Sequence, residues 1–150
     1  MDEQQFKSRT KALALAVIDV VEHLPPRRSN DVIGRQLVRS ATSVGANYRA
    51  SCRGRSIAEI IAKLSIVEGE ADETMYWLEL LAESAALPEA VVAPLLKETN
   101  ELLAMTVASK RTLKARIGQS AGFPSTAVNR KSHIVNPRRE SESQIVNRES

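Results

Sequence analysis

Glu68, Glu70, Asp72 and Glu73 place four carboxylates within six consecutive residues. Inward glutamates on helices hold paired irons when a histidine follows three residues after the glutamate, because imidazole completes the ligand set. No Glu-x-x-His occurs in this chain. The acids are therefore expected to serve structural networks, with no metal site and no cofactor. Nucleophilic catalysis needs a base within reach of the nucleophile, yet the two histidines are His23, at a helix end, and His133, near the C-terminus. Cys52 is the one cysteine, so it has neither a disulfide partner nor a CxxC mate for zinc, which suits a reducing cytoplasm. There is no Walker loop, GxGxxG or HExxH. No catalytic residue is nominated, and the chain is expected not to be an enzyme.

The chemistry the sequence does offer is charge. Between Arg27 and Arg55 stand seven arginines against the single acid Asp31, and between Ser56 and Ala86 seven acids against the single base Lys63. Arg35, Arg39, Thr42, Ala46, Arg49 and Arg53 follow alternating steps of four and three, which lines them along one face of a helix. Glu59, Lys63, Ile66, Glu70 and Glu73 trace a similar line on the next. Guanidinium matches carboxylate in a two-pronged geometry, so one reading pairs these faces within or between subunits. The other leaves Arg27, Arg28, Arg35, Arg53 and Arg55 facing solvent to bind nucleic-acid phosphate without sequence preference. A net charge of +3 with a pI near 9.2 permits both.

Positioning these groups falls to helices. The chain has 150 residues, 43% hydrophobic and only 3% aromatic, a composition that favours one all-α domain. Phe6, Leu13, Val17, Val20, Val21 and Leu24 recur at helical spacing, and Pro25-Pro26 stops that helix. A second helix, capped by Ser29, Asn30 or Asp31, carries Ile33, Leu37, Ala41, Val44 and Tyr48 to about Cys52. Gly54 is expected to supply a left-handed turn, and Ser56 with Glu59 a capping box for a third helix ending near Ala86. Pro88 and Pro94 open a fourth helix, with a kink or a separate short turn expected over 88–92. Residues 118–150 are rich in Ser, Asn, Arg and Glu without apolar periodicity, so they read as a disordered tail behind a bundle at 1–117. The fold expected is an antiparallel up-down-up-down four-helix bundle. No apolar run approaches the ~20 residues a membrane span needs, and MDEQQFKSRTK lacks the apolar core of a signal peptide.

Two helices are greasier than a solitary bundle requires. Leu15 and Ile18 lie apart from the stripe of Leu13 and Val17, and Ile66, Gly69, Trp77 and Leu80 lie apart from that of Leu64, Val67, Leu78 and Leu81. Surplus apolar surface marks an interface, so an oligomer is expected. Gly34, Gly45 and Gly69 sit inside helices at about 1 kcal/mol each relative to alanine, which close packing should offset.

The stretch QLVRSATSVGANYRASCRGRS, followed by AKLSIVEGEADETMYWLELL and KETNELLAMTVASKRTLK, resembles the bacterial four-helix-bundle family named for proteins encoded in intervening sequences of 23S ribosomal RNA genes. The resemblance covers roughly residues 6 to 116. It implies a ring-like homopentamer, and assembly roles for Arg39, Ser43, Asn47, Arg49, Glu70, Glu73, Tyr76 and Trp77. Distantly similar accessory proteins of diversity-generating retroelements bind a reverse transcriptase and nucleic acid. The expected function is a non-catalytic oligomeric scaffold binding RNA or a reverse transcriptase-type nucleoprotein. The alternative is a protein-interaction module whose charges serve only its own assembly.

Overall fold

Asp2 starts the first helix: its carboxylate accepts the Gln5 amide at 2.7 Å while the Gln5 side chain accepts the Asp2 amide at 3.4 Å. This reciprocal cap satisfies donors that a helix N-terminus otherwise leaves open. In the computed structural model, which describes residues 2–121, α1 (Glu3–Glu22) is followed by α2 (Arg28–Ser51), α3 (Ile57–Glu83) and α4 (Glu89–Ala121). Each helix packs on its neighbours in chain order, most extensively α2 on α3, whereas the backbones of the diagonal pairs α1/α3 and α2/α4 nowhere approach closely. With connections of a few residues, this is the expected antiparallel up-down-up-down four-helix bundle. The seam between α1 and α4 is the thinnest.

Three local expectations about caps and connections are corrected. α2 begins at Arg28 rather than behind a Ser29, Asn30 or Asp31 cap, and its N-cap Arg27 makes no side-chain bond. Asn30 is buried instead, and its amide donates to the Pro25 carbonyl at 2.8 Å, fastening the α1–α2 connection. Gly54 does not adopt a left-handed conformation. A Cβ there would lie 2.5 Å from Ile60 Cγ1, so glycine is needed for close approach. Ser56 Oγ does accept the Glu59 amide at 3.1 Å, but Glu59 reaches back to the Arg55 amide at 2.9 Å, one residue beyond a capping box.

α3 stops at Glu83, earlier than expected, because Ala85 turns left-handed at φ 53° and the amides of Ala86 and Leu87 both fold back onto the Leu81 carbonyl at 3.0 Å. Ala86 and Leu87 are thereby buried. α4 is one continuous helix containing Pro94 in its second turn, with no separate element over 88–92. It continues past 117 to Ala121; the remainder of the expected tail lies outside the described residues.

Leu13, Val17, Leu37, Leu78, Leu81 and Leu102 are fully buried at the centre, and Val44, Val67 and Ala71 form a second cluster nearer the α2–α3 turn. Burying side chains of this size contributes about 1.5–3 kcal/mol each. Phe6 stacks on Tyr48 with ring centroids 4.0 Å apart, joining the start of α1 to the end of α2. The small residues of α2 are used for close approach: a Cβ at Gly45 would meet Thr10 Oγ1 at 3.3 Å, and one at Gly34 would meet Val21 Cγ1 at 3.0 Å. On the other side, Thr74 Oγ1 lies 3.0 Å from Ser40 Oγ, both buried. Gly69 differs, since nothing lies within 4 Å of the position a Cβ would take.

Candidate nucleic-acid interface

The six positions predicted to share one face of α2 are all exposed, Arg35, Arg39, Thr42, Ala46, Arg49 and Arg53 alike. Only Arg39 reaches the acidic helix. Its guanidinium contacts Glu70 at 3.2 Å and ion-pairs with Glu73, whose Oε1 also accepts the Trp77 indole N–H at 3.0 Å. Arg39 holds the Glu73 carboxyl below the ordinary carboxylate range, and the Trp77 hydrogen bond acts in the same direction. Trp77 is half-buried against the core and Tyr76 packs on its edge while remaining exposed. Four residues named for assembly, Arg39, Glu70, Glu73 and Trp77, thus form one clasp from α2 to α3. Ser43 and Asn47 do not join it, because the Asn47 amide donates to the Ser43 carbonyl at 3.0 Å and to Ser43 Oγ at 2.9 Å within α2 itself.

Arg27 and Arg28 stand at the first end of α2 and Arg35 two turns in, with Arg53 and Arg55 beyond the other end. The two ends of this 24-residue helix are about 36 Å apart, and Arg35 is about 27 Å along the helix from Arg53. All five are exposed, and among the described residues none of their guanidinium groups meets a carboxylate. They are free for an external anion but cannot converge on one site.

Arg49, named for assembly, lies with Arg53 beside Lys7 and Lys11 of α1, around a groove of about 460 Å³. α1 is antiparallel to α2, so its first turns lie opposite the last turns of α2. Cys52 also lines the groove, and burial pushes its thiol above the ordinary range. It stays uncharged at neutral pH and is not an activated nucleophile. Sequence reasoning placed Arg49 and Arg53 on one face, but the facing lysines depend on tertiary register.

A second cluster escaped the sequence. Arg9 of α1 forks onto Glu98 of α4 at 2.6 and 2.7 Å, meets Glu101 at 2.6 Å and touches Met105 Sδ at 3.9 Å. It ties the thin α1/α4 seam. Lys110 likewise pairs with Glu68, linking α4 to α3. His23 is exposed, with Nδ1 2.7 Å from the Asp19 carbonyl; His133 is outside the described residues. Among the described residues no group of His, Cys, Asp and Glu is arranged to hold a metal, and no helix is long and apolar enough to cross a membrane.

The family model for the 23S rRNA-intervening sequence protein matches residues 2–108, through all of α1, α2 and α3 and more than half of α4. The chain belongs to the 23S rRNA-intervening sequence protein family. A solved relative from Bacteroides thetaiotaomicron, a protein of unknown function from the S23 ribosomal protein family, is 28% identical with a TM-score of 0.69. The alignment covers 74% of this chain and 99% of that one. No curated protein matches the chain. Membership in the 23S rRNA-intervening sequence protein family confirms the resemblance carried by the small-residue α2 and the Glu70-to-Leu78 segment of α3, and it specifies a fold rather than a reaction.

Proposed function

We propose that the protein is a non-catalytic cytoplasmic scaffold that assembles into a closed ring of five copies and presents the free arginines of α2 to RNA or to a nucleoprotein of reverse-transcriptase type. The observation that carries this reading is the pair of open apolar sides. Leu15 and Ile18 on α1 are 57% and 38% exposed, and Ile66 and Tyr76 on α3 are 43% and 52% exposed. Trp77 and Leu80, expected on the same outer side of α3, are turned half inward.

Because α1 and α3 are diagonal in the bundle, these sides face away from each other. A contact between the α1 side of one copy and the α3 side of the next is head-to-tail, and such contacts close into rings when the rotation permits. Gly69 supports the reading, since its open surface lets a neighbouring backbone approach α3. The RNA clause is supported by the exposed arginines of α2 that meet no carboxylate among the described residues.

Replacing Leu15 and Ile66 with serine tests the assembly. Both side chains are exposed, so the fold survives, while sedimentation should shift from a discrete oligomer to single chains; an unchanged profile contradicts the reading. RNA retention on a filter at low salt, lost on raising salt, tests the second part. The Arg39 fork favours the alternative module for that one arginine only, and wild-type protein that retains no RNA at low salt selects it.

A further inference from the structure

Lys7 and Lys11 on α1 and Arg49 and Arg53 on α2 form two facing pairs, each four residues apart. That is one helical turn, about 6 Å along either wall. Lys7 is held by Glu3, whose carboxyl is in turn kept ionised by Lys7, so this pair is neutral. Lys11, Arg49 and Arg53 have no hydrogen-bonding or ionic partner for their side chains among the described residues. The uncharged Cys52 thiol between them supplies no compensating anion. Three cations thus share one groove without a counter-charge, an arrangement that is unfavourable until an anion enters.

We propose that this groove is a phosphate-binding site for the backbone of single-stranded RNA. The inference rests on the RNA clause of the function above and places it. Helices in contact lie about 8–10 Å apart axis to axis, so the groove between them is on the scale of one sugar–phosphate backbone. Cations repeated at one helical turn on both walls can meet successive phosphates of such a strand. No aromatic side chain lines the groove, and Tyr48, just below, is committed to stacking on Phe6. Bases therefore have no stacking platform, and recognition is of backbone charge without sequence preference.

The test uses the full chain and a fluorescent twelve-nucleotide oligouridylate at low salt. The variant Lys11→Ala/Arg49→Ala/Arg53→Ala alters only exposed residues, and circular dichroism confirms its folding. Affinity should fall at least about tenfold, and the slope of log affinity against log salt should flatten by about 2, three contacts at roughly 0.7 each. Lys97→Ala/Arg111→Ala, exposed on α4 and outside the groove lining, should bind nearly as wild type. Cys52 is the only cysteine, so its alkylation rate reports occupancy directly and should slow when the oligonucleotide is added.

An unaltered affinity in the triple variant, or an unaltered Cys52 rate, overturns the assignment even if RNA binds elsewhere. Protection by pyrophosphate or oligoglutamate as strong as that by RNA, at equal charge, overturns the RNA specificity. Wild type that binds no RNA at all overturns the RNA clause as well, whereas assembly is read independently by sedimentation.

Discussion

The Trp77 indole donates to Glu73 Oε1 at 3.0 Å, and that same carboxylate oxygen receives the Arg39 guanidinium from the neighbouring helix. One carboxylate thus joins the basic helix, the acidic helix and a half-buried tryptophan. The folded state holds the Glu73 carboxyl below its ordinary value of 4.5, chiefly through Arg39. A depressed folded value means that the contribution is complete above the ordinary value and disappears as pH falls through the folded one. Trp77 is the only tryptophan, so its fluorescence should change below pH 4.5 as the clasp opens. Glu73→Gln should abolish that fluorescence step and make stability less sensitive to acid; an identical acid profile in the variant contradicts the account.

Arg9 is expected to secure the thin side of the bundle. Arg9→Ala removes a forked pair to Glu98 and a contact to Glu101, side chains that are 32% and 47% exposed. Solvent screening keeps the cost to about 1 kcal/mol. Hydrogen exchange should accelerate selectively in α1, with α3 amides little affected; uniform acceleration throughout would mean that the pair does not act on that seam.

Ala85 occupies a conformation that suits glycine. At φ 53° its Cβ is strained, and its side chain is exposed. Ala85→Gly should stabilise the protein by about 0.5–1 kcal/mol, the relief of left-handed strain exceeding the added entropy of the unfolded chain. Chemical denaturation at fixed protein concentration measures this, and a loss of stability contradicts it.

Gly69 separates folding from assembly. With space around it, Gly69→Ala should raise the helical stability of the single chain by about 1 kcal/mol. The same methyl occupies the surface between Ile66 and Tyr76 that the neighbouring copy is proposed to use, so the oligomer should dissociate at higher protein concentration. Stability and assembly moving together would count against α3 as an interface.

Much of the bundle is legible because local patterns and tertiary packing agree. Leu37, Ala41 and Val44, and Leu64, Val67, Ala71, Leu78 and Leu81, are read from helical spacing and are buried. Pro25-Pro26 ends α1 by removing donors, a purely local effect. Boundaries fail where a distant partner decides. Asn30 has a cap-forming side chain but spends it on Pro25, and Ala85 carries no sign that it will turn left-handed.

The candidate site divides in the same way. Exposure of the whole arginine face follows from spacing, but its register against α3 lets only Arg39 reach Glu70 and Glu73. Arg9 and Glu98 are 89 residues apart, and Lys7 faces Arg49 only because α1 runs antiparallel to α2. Such pairings depend on helix rotation and offset, which a single sequence specifies only through the finished fold.

Light scattering of the intact chain during size-exclusion chromatography at micromolar concentration tests the central claim most directly. The open sides of α1 and α3 predict a single discrete oligomer, which the proposed five-copy ring puts near five times the 16.5 kDa chain mass. A species at 16.5 kDa across that range would mean that those apolar surfaces stay in water, contradicting the account.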